Sequence, residues 1–320
     1  MAGEPAPSHV TSLTQFVGGG TTLFDLMKLD VMHPARLVDI TRLGDKGLQQ
    51  VRRDDRGLHI GALATMAALS DDGAIAKDYP VLRDTLWQAA SAQIRNMARL
   101  GGNVLQRTRC PYFRDTSYRQ CNKRDPGSGC AALDGFNRMH AVLGTSTSCI
   151  ASYPGDFAQA LIALDAHVEL LGADGPRVIR FADLHRLPED APQIETSLRP
   201  GELITGFLIP GGTWPRSTYV KVRDRASYAF ANASAAVALK LDGGRIEDVR
   251  IGLGGVATVP WRAARAEALL KGAELTEGAA AEAAEAEFAG AAAREHNRYK
   301  IPLGKATLVR ALLQAQAMEL

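Results

Sequence analysis

The sequence has few cysteines and aromatic residues, and it has no long apolar run. Only four of its 320 residues are cysteine, and aromatic residues make up 6%. No stretch of 18 apolar residues occurs, which excludes a membrane-spanning helix. A strong excess of either charge is also missing: 37 Lys and Arg against 35 Asp and Glu give +2. This balance argues against general nucleic-acid binding and indicates an ordinary soluble globular protein.

Two further absences concern export and zinc. The first residues, Met1 to Pro5, contain no basic segment followed by an apolar one, so we expect no secretory signal on this chain. Structural disulfides are rare in proteins that fold in a reducing cytosol, which favours a metal as the role of the cysteines. No CxxC pair occurs, so the usual spacing of a zinc ribbon or knuckle is missing.

The cysteines Cys110, Cys121, Cys130 and Cys149 share one 40-residue window, with 10, 8 and 18 residues between them. Gaps of this length suit an iron–sulfur cluster, because a folded loop can bring distant thiolates together. Cations stabilise the net negative charge of a four-thiolate [4Fe–4S] unit. Six such residues form a basic collar around the first two cysteines: Arg107, Arg109, Arg114, Arg119, Lys123 and Arg124. Two disulfides, a zinc site and free thiols are the alternatives.

The order of predicted elements indicates an α+β fold in about three lobes. Apolar patterning predicts strands over residues 15–17, 36–40, 58–62, 167–171 and 202–210. Helical spacing predicts helices over residues 23–29, 80–100 and 157–164, and two alanine-rich helices over 279–293 and 305–318. Asp242-Gly243-Gly244 predicts a hairpin. We place the domains at residues 1–55, 56–212 and 213–320, with an irregular excursion over 107–150.

Two glycine turns are candidate phosphate-binding loops. Gly18-Gly19-Gly20-Thr21-Thr22 lies between a predicted strand and a predicted helix, where amides without a Cβ can curve around a phosphate. Gly101-Gly102-Asn103 follows the predicted helix over 80–100, and two such turns could hold the two ends of a diphosphate. Neither turn matches GxGxxG or a P-loop, which excludes Rossmann and NTPase interpretations. A plain tight turn and an ordinary helix C-terminus are the alternative interpretations.

Together these motifs resemble the FAD-binding medium subunit of the molybdenum hydroxylases. The likeness is carried by residues 19–28, GGTTLFDLMK, and by Gln93-Ile94-Arg95-Asn96 with the second glycine turn. The cysteine stretch, with CPYF at 110–113 and PGSGCAA at 126–132, is similar to the FAD and [4Fe–4S] subunit of bacterial periplasmic aldehyde oxidoreductases. The family implies a two-lobed FAD-binding domain of the vanillyl-alcohol-oxidase/PCMH type with an iron–sulfur loop insertion, followed by an α+β C-terminal domain.

The resemblance implies a set of cofactor contacts at the two turns. The first loop would wrap the FAD diphosphate with Gln15, Phe16, Val17, Gly18, Gly19, Gly20, Thr21, Thr22 and Leu23. Arg99, Gly102 and Asn103 would form the second loop. The family has Thr or Ser where this chain has Arg99, so a hydroxyl contact is lost, although an arginine can pair with phosphate. The chain also starts closer to the first loop than family members do, which predicts a missing edge element or a misassigned start.

The remaining implied contacts lie further along the chain. Arg109 would lie between flavin and cluster, and Asp156 would reach the ribose or adenine side. Ile204 would pack beside the flavin through its backbone. Lys221 would approach the isoalloxazine ring, and Tyr228, seven residues later, is a candidate for stacking on it. Cys110, Cys121, Cys130 and Cys149 would hold the [4Fe–4S] cluster.

The function implied is electron transfer inside a molybdenum-containing aldehyde oxidoreductase. Electrons would come from a large molybdenum-cofactor subunit and a small [2Fe–2S] subunit, in a heterotrimer, and would leave FAD for an external acceptor. The alternative is a stand-alone FAD-dependent oxidase or reductase with its own substrate, and no His or Cys is a convincing site for covalent flavin attachment. We expect a periplasmic complex exported by the signal of its partner, with a cytoplasmic complex as the alternative.

Overall fold

The computed structural model describes residues 12–319 and confirms the α+β class. The strands in chain order are β1 (Thr14–Val17), β2 (Arg36–Asp39), β3 (Val51–Asp54), β4 (Gly57–Gly61), β5 (His167–Gly172), β6 (Gly175–Arg180), β7 (Leu203–Pro210), β8 (Ser217–Val222), β9 (Ala233–Asp242), β10 (Arg245–Gly254) and β11 (Trp261–Arg262). The helices are α1 (Leu23–Lys28), α2 (Met66–Ser70), α3 (Gly73–Asp78), α4 (Pro80–Trp87), α5 (Ala92–Met97), α6 (Leu100–Val104), α7 (Pro111–Arg114), α8 (Phe157–Ala163), α9 (Ala264–Leu270), α10 (Glu277–Phe288) and α11 (Lys300–Gln316). None of these helices is long and apolar enough to cross a membrane. The predictions about the extreme N-terminus concern residues 1–11, which lie outside the described range.

The first lobe is a small strand–helix–strand unit. β1 and β2 pair in parallel, with Thr14 opposite Arg36 and Val17 opposite Asp39, and α1 forms the crossover between them. A parallel pair needs such a crossover because a tight turn joins antiparallel strands and cannot connect two strands that run in the same direction. The first glycine turn therefore lies at the carboxyl end of β1, where the chain enters α1.

The second lobe is built on a five-stranded antiparallel sheet with the order β3-β4-β7-β5-β6. The sequence places residues 51–54 in the first lobe, but β3 pairs with β4 from Val51 opposite Ile60 to Asp54 opposite Gly57. The structure thus begins the second sheet before the predicted boundary at residue 55. Helices α2 to α6 and α8 cover this sheet and share its apolar core, which includes the fully buried Leu82, Phe157 and Phe207.

The single helix predicted over residues 80–100 is wrong, because the segment contains two short helices, α4 and α5, and α6 begins at its last residue. α4 ends at Trp87, and Ala90 then adopts a left-handed φ of 51°, which a continuous α-helix does not allow. The Ser91 side chain accepts a bond from the Ile94 amide and so caps α5. The predicted alternative of a helix C-terminus at Gly101-Gly102 also fails, since both glycines lie inside α6.

The C-terminal domain has a four-stranded antiparallel sheet with the order β11-β10-β9-β8. The predicted hairpin is confirmed: β9 ends at Asp242, and Gly243 and Gly244 take positive φ angles of 53° and 86° before β10 begins. Side chains on β9 alternate between two cores. Ala236 faces the core of the second lobe, whereas Val237 faces helices α9 to α11. The sheet is therefore buried on both faces.

The cysteine stretch wraps around the first lobe and has little regular structure, as predicted. Its regular elements are the one-turn helix α7 and two isolated bridges, which pair Cys121 with Cys130 and Leu143 with Ala257. Three of its cysteines share a third core with Leu26 and Met32 of the first lobe, and Cys130 packs against that core. The small first lobe thus gains much of its buried surface from this excursion.

The cap of α10 gives a direct test of the C-terminal domain. The Thr276 hydroxyl accepts a bond from the Ala279 amide at 3.1 Å. We expect Thr276→Ala to lower the free energy of unfolding by about 1 kcal/mol, because that amide loses its partner. Urea denaturation measures the effect, and Thr276→Ser is the matched control that keeps the hydroxyl oxygen. Equal stabilities of the two variants would contradict the prediction.

Candidate functional site

A cavity of about 230 Å³ is lined by the first glycine turn, by α6 and the residues that follow it, and by the start of β7. Most of the predicted FAD contacts lie on its wall. They are Gln15, Phe16, Val17, Gly18, Gly19, Gly20, Thr21, Thr22, Leu23, Arg99, Gly102 and Ile204. The two glycine turns are far apart in sequence, and the fold brings them to one site.

The first turn owes its shape to two of its glycines. A Cβ on Gly19 would lie 2.0 Å from the backbone oxygen of Met97, so only glycine allows the first turn to approach the end of α5 this closely. Gly20 has a φ of 71°, and a Cβ there would meet the ring of Phe24 at 2.4 Å. Close contacts with the Met97 backbone and the Phe24 ring therefore leave room only for glycine at these two positions.

The second turn combines an arginine with an open glycine. Arg99 donates from Nη1 to the Leu63 carbonyl at 2.9 Å, and its Nε has no acceptor within the described part of the chain. The arginine that replaces the family's hydroxyl thus anchors backbone next to the cavity. An added Cβ on Gly102 would meet nothing within 4 Å, so this wall leaves room for a ligand to approach the backbone.

Three residues that were predicted to contact FAD do not line the cavity. The Asn103 amide nitrogen lies 3.4 Å from the Met66 sulfur, and its Oδ1 is buried without a partner in the described range. Arg109 lies over the ring of Phe230 at 4.9 Å, and burial lowers the pKa of its guanidinium to about 10. Tyr228 is 55% exposed. Direct contact of these residues with FAD stays a prediction.

The other two, Asp156 and Lys221, contact each other rather than the cavity. Lys221 Nζ lies 2.8 Å from Asp156 Oδ2, and both side chains are buried. Tyr219 donates to the other carboxylate oxygen at 2.6 Å, and burial followed by the Asp156 charge raises the pKa of this phenol well above its usual value. The resemblance assigned Asp156 and Lys221 to opposite ends of FAD. Contact of either residue with FAD stays a prediction.

The sequence interpretation missed several residues on the wall. Arg107, Lys123 and Glu195 line the cavity and form one ion-pair group. His185 also lines it, and burial lowers the pKa of its imidazole to about 4, so the ring is neutral at pH 7. Arg107 and Lys123 carried a signal, since both belong to the basic collar. Glu195 carried none, because its partners are distant in sequence.

All four cysteines are free thiols; Cys110, Cys121 and Cys149 share one apolar core, and Cys130 packs against it. His140 Nε2 is 3.1 Å from Cys110 Sγ, and the thiols of Cys130 and Cys149 are hydrogen-bonded to each other. Burial raises the pKa of Cys110 to about 12. The hydrogen bond between Cys130 and Cys149 lowers the pKa of Cys130 to about 7. Within residues 12–319, no group of three or more His, Cys, Asp or Glu side chains stands in metal-binding geometry.

Backbone amides surround the sulfur atoms. Cys110 accepts from the amide of Phe113, Cys121 from that of Arg124, and Cys130 from that of Ala132, and each contact favours the thiolate. The Ala151 amide donates to Cys149 Sγ at 3.5 Å. Such amides stabilise the negative charge that metal-bound sulfurs carry. The amide donors therefore suit thiolate sulfurs, but the four side chains do not stand in metal-binding geometry within residues 12–319.

The basic collar is largely engaged with protein acceptors. Arg114 forms a two-bond pair with Asp25 of α1 at 2.8 and 3.1 Å. Arg124 Nη1 donates to the carbonyls of Tyr112 and Phe113, both at 2.9 Å. These residues hold the excursion in shape, and their cations lie near the cysteines as a consequence of that role.

Comparison with known proteins relates this geometry to a family. The model for the FAD binding domain in molybdopterin dehydrogenase matches residues 8–212, and that for the CO dehydrogenase flavoprotein C-terminal domain matches 218–315. The aldehyde oxidoreductase FAD-binding subunit PaoB of Escherichia coli (strain K12) is 46% identical over 304 residues, which cover 95% of this chain and 92% of PaoB. The carbon monoxide dehydrogenase medium chain of Afipia carboxidovorans is 29% identical, over 81% of this chain and 72% of that one.

Solved structures agree with these matches. Reconstituted CO dehydrogenase from Oligotropha carboxidovorans superimposes with a TM-score of 0.73 at 26% identity, over 96% of this chain and 91% of the other. The predicted fold class, an FAD-binding domain followed by an α+β C-terminal domain, is confirmed. With the cavity formed by its two glycine turns, the chain belongs to the family of FAD-binding medium subunits of the molybdopterin dehydrogenases.

Proposed function

We propose that this chain is the electron-transfer subunit of a molybdenum-containing aldehyde oxidoreductase. The observation that carries the proposal is the cavity between two glycine turns in a chain 46% identical to an aldehyde oxidoreductase FAD-binding subunit. FAD, when bound, accepts electrons from partner centres and passes them to an external acceptor. Aldehyde oxidation itself takes place on the partner in this proposal.

The residues of this chain bind, orient and shield the cofactor. Gly18 to Thr22 would present backbone amides and hydroxyls to the diphosphate, and Gly102 would let the second backbone segment approach it. Ile204 and Leu203 at the start of β7 provide an apolar surface for the ring system. Arg107 and Lys123 supply positive charge on the same wall.

The four cysteines are proposed to hold a [4Fe–4S] cluster. Support comes from four free thiols that lie in or against one apolar core and from the amides that donate to their sulfurs. Thiolate is the ligand type that iron–sulfur clusters use. A CxxC pattern is not required here, because the bridge between Cys121 and Cys130 brings two of the ligands together.

The proposed partners are a large molybdenum-cofactor subunit and a small [2Fe–2S] subunit. The name "medium chain" borne by the carbon monoxide dehydrogenase relative supports an assembly with larger and smaller subunits. We further propose a periplasmic complex exported by a twin-arginine signal on the small partner, with a cytoplasmic complex as the alternative. A small-subunit sequence without such a signal would favour the cytoplasm.

A visible absorption spectrum of the purified chain tests the function. We expect flavin bands together with a broad iron–sulfur shoulder, and bleaching of the flavin bands by aldehyde when the partner subunits are present. Bleaching by a substrate in the absence of any partner would instead favour the stand-alone oxidase or reductase. A colourless chain that takes up no FAD on reconstitution would rule out both functions.

A further inference from the structure

Three charged side chains form a continuous ion-pair chain on the wall of the cavity. Arg107 Nε lies 2.6 Å from one oxygen of the Glu195 carboxylate, and Lys123 Nζ lies 2.8 Å from the other. The side chains of Arg107, Glu195 and Lys123 are only 6%, 16% and 12% exposed. Solvent therefore screens their charges weakly.

This chain of charges connects the cavity with the cysteine stretch. The Arg107 guanidinium lies 4.6 Å from the ring of Phe113, which packs in the same core as Cys110. Lys123 follows Cys121 by two positions, and its ammonium also donates to the Pro192 carbonyl at 3.0 Å. The three side chains therefore line the proposed FAD cavity and also lie beside the cysteine stretch.

The charges in this chain do not balance. Two cations share one carboxylate, which leaves one positive charge in excess. Glu195 engages Arg107 through Nε, and both terminal nitrogens of that guanidinium are buried without an acceptor in the described range. A buried cation whose donors lack protein partners acts strongly on any electron-rich group bound nearby.

We propose that Arg107, Glu195 and Lys123 are positioning residues that set the electron affinity of the FAD site, with Glu195 as the counter-charge that limits it. The proposal rests on the FAD binding that the family membership establishes. Reduction adds negative charge to a bound cofactor, so nearby positive charge favours the reduced state. Because Arg107 and Lys123 flank the cysteines, the shape of the cysteine stretch decides where these charges lie.

The sign of each substitution follows from the charge count. Glu195→Gln raises the net charge of the group from +1 to +2, so the reduction potential of FAD should rise. Arg107→Gln lowers the net charge to zero, so the potential should fall. The double variant has the original net charge of +1 and should return towards the original potential, although both native ion pairs are gone.

The experiment is a spectroelectrochemical titration of the flavin absorption in the full-length chain purified with its FAD. Each single variant should change the ratio of reduced to oxidised flavin on the order of tenfold at a given potential, which is ~30 mV for a two-electron couple. The two shifts should have opposite signs. A purely structural role would weaken FAD binding in both variants and would not produce the reversal in the double variant.

A matched control removes an ion pair elsewhere. Glu267 pairs with Arg262 at 2.5 Å, its side chain is 16% exposed like that of Glu195, and it is absent from the cavity wall. Glu267→Gln should leave the flavin potential unchanged. Arg107→Lys keeps the positive charge, so its flavin potential should lie close to that of the unmodified chain, unlike that of Arg107→Gln. Shifts of equal sign in the two single variants, or none beyond the control, would overturn the proposal. Failure of the unmodified chain to bind FAD would instead overturn the proposed function.

Discussion

Replacing Gly19 with alanine is expected to weaken FAD binding by about 100-fold, or about 3 kcal/mol. The added Cβ would lie 2.0 Å from the Met97 oxygen and 2.7 Å from the Met97 carbonyl carbon. Both are backbone atoms at the end of α5, so no side-chain rotation can relieve the clash. The first glycine turn must move away from the second, and the cavity between them loses its shape.

The FAD content after gel filtration and a reconstitution titration measure this effect. Gly73→Ala is the control for the mutation type, because a Cβ there meets nothing within 4 Å. Gly102→Ala separates ligand contact from fold: its Cβ also meets no protein atom within 4 Å, yet Gly102 lines the cavity. We expect it to weaken FAD binding without lowering the thermal unfolding temperature. Stoichiometric FAD in Gly19→Ala would contradict this account of the site.

Replacing Cys121 with serine is expected to remove nearly all bound iron, from roughly four atoms per chain in a [4Fe–4S] protein. Serine keeps the size of the side chain but is a poor ligand for iron in place of thiolate. Cys121 also pairs through its backbone with Cys130, and its amide donates to the Ser128 hydroxyl oxygen at 3.0 Å. The backbone around residue 121 should therefore persist while the ligand is lost.

Iron analysis and the broad visible shoulder measure the loss, and the flavin bands report on the cavity in the same sample. Asp134→Asn is the control, since Asp134 is an exposed residue within the same stretch. The flavin content should fall far less than the iron content, because the predicted FAD loops lie outside residues 110–149. Iron at the unmodified level in Cys121→Ser would show that this cysteine is not a ligand.

The structure changes how the basic collar is understood. From the sequence, its cations appear as a shell that neutralises cluster charge. In the structure, Arg114 is paired with Asp25 and Arg124 with backbone carbonyls, so both serve first to fold the excursion. The electrostatic role falls mainly on Arg107 and Lys123, because only these two share a carboxylate on the cavity wall.

Local motifs could be predicted from the sequence because the residues that form them are contiguous in the chain. The first glycine turn with its strand and helix and the hairpin at Asp242-Gly243-Gly244 both depend on interactions over a few residues. The break in the helix predicted over residues 80–100 could not be predicted, since the apolar spacing continues through Ala90, which is left-handed in the structure. The tertiary fold, in which α4 and α5 both pack on α2, overrides that periodicity.

The sequence by itself determined the α+β class, the two glycine turns, the confinement of all thiols to one stretch and, through its motifs, the flavin family. Only the tertiary structure decided which charges meet. Arg107 and Glu195 are 88 residues apart, and Lys221 and Asp156 are 65 apart, yet both pairs are in contact. Contacts over such separations come from the stacking of whole lobes and sheets. No local pattern of charge or apolar spacing records them, which is why the charged wall of the cavity could be recognised only once the chain was folded.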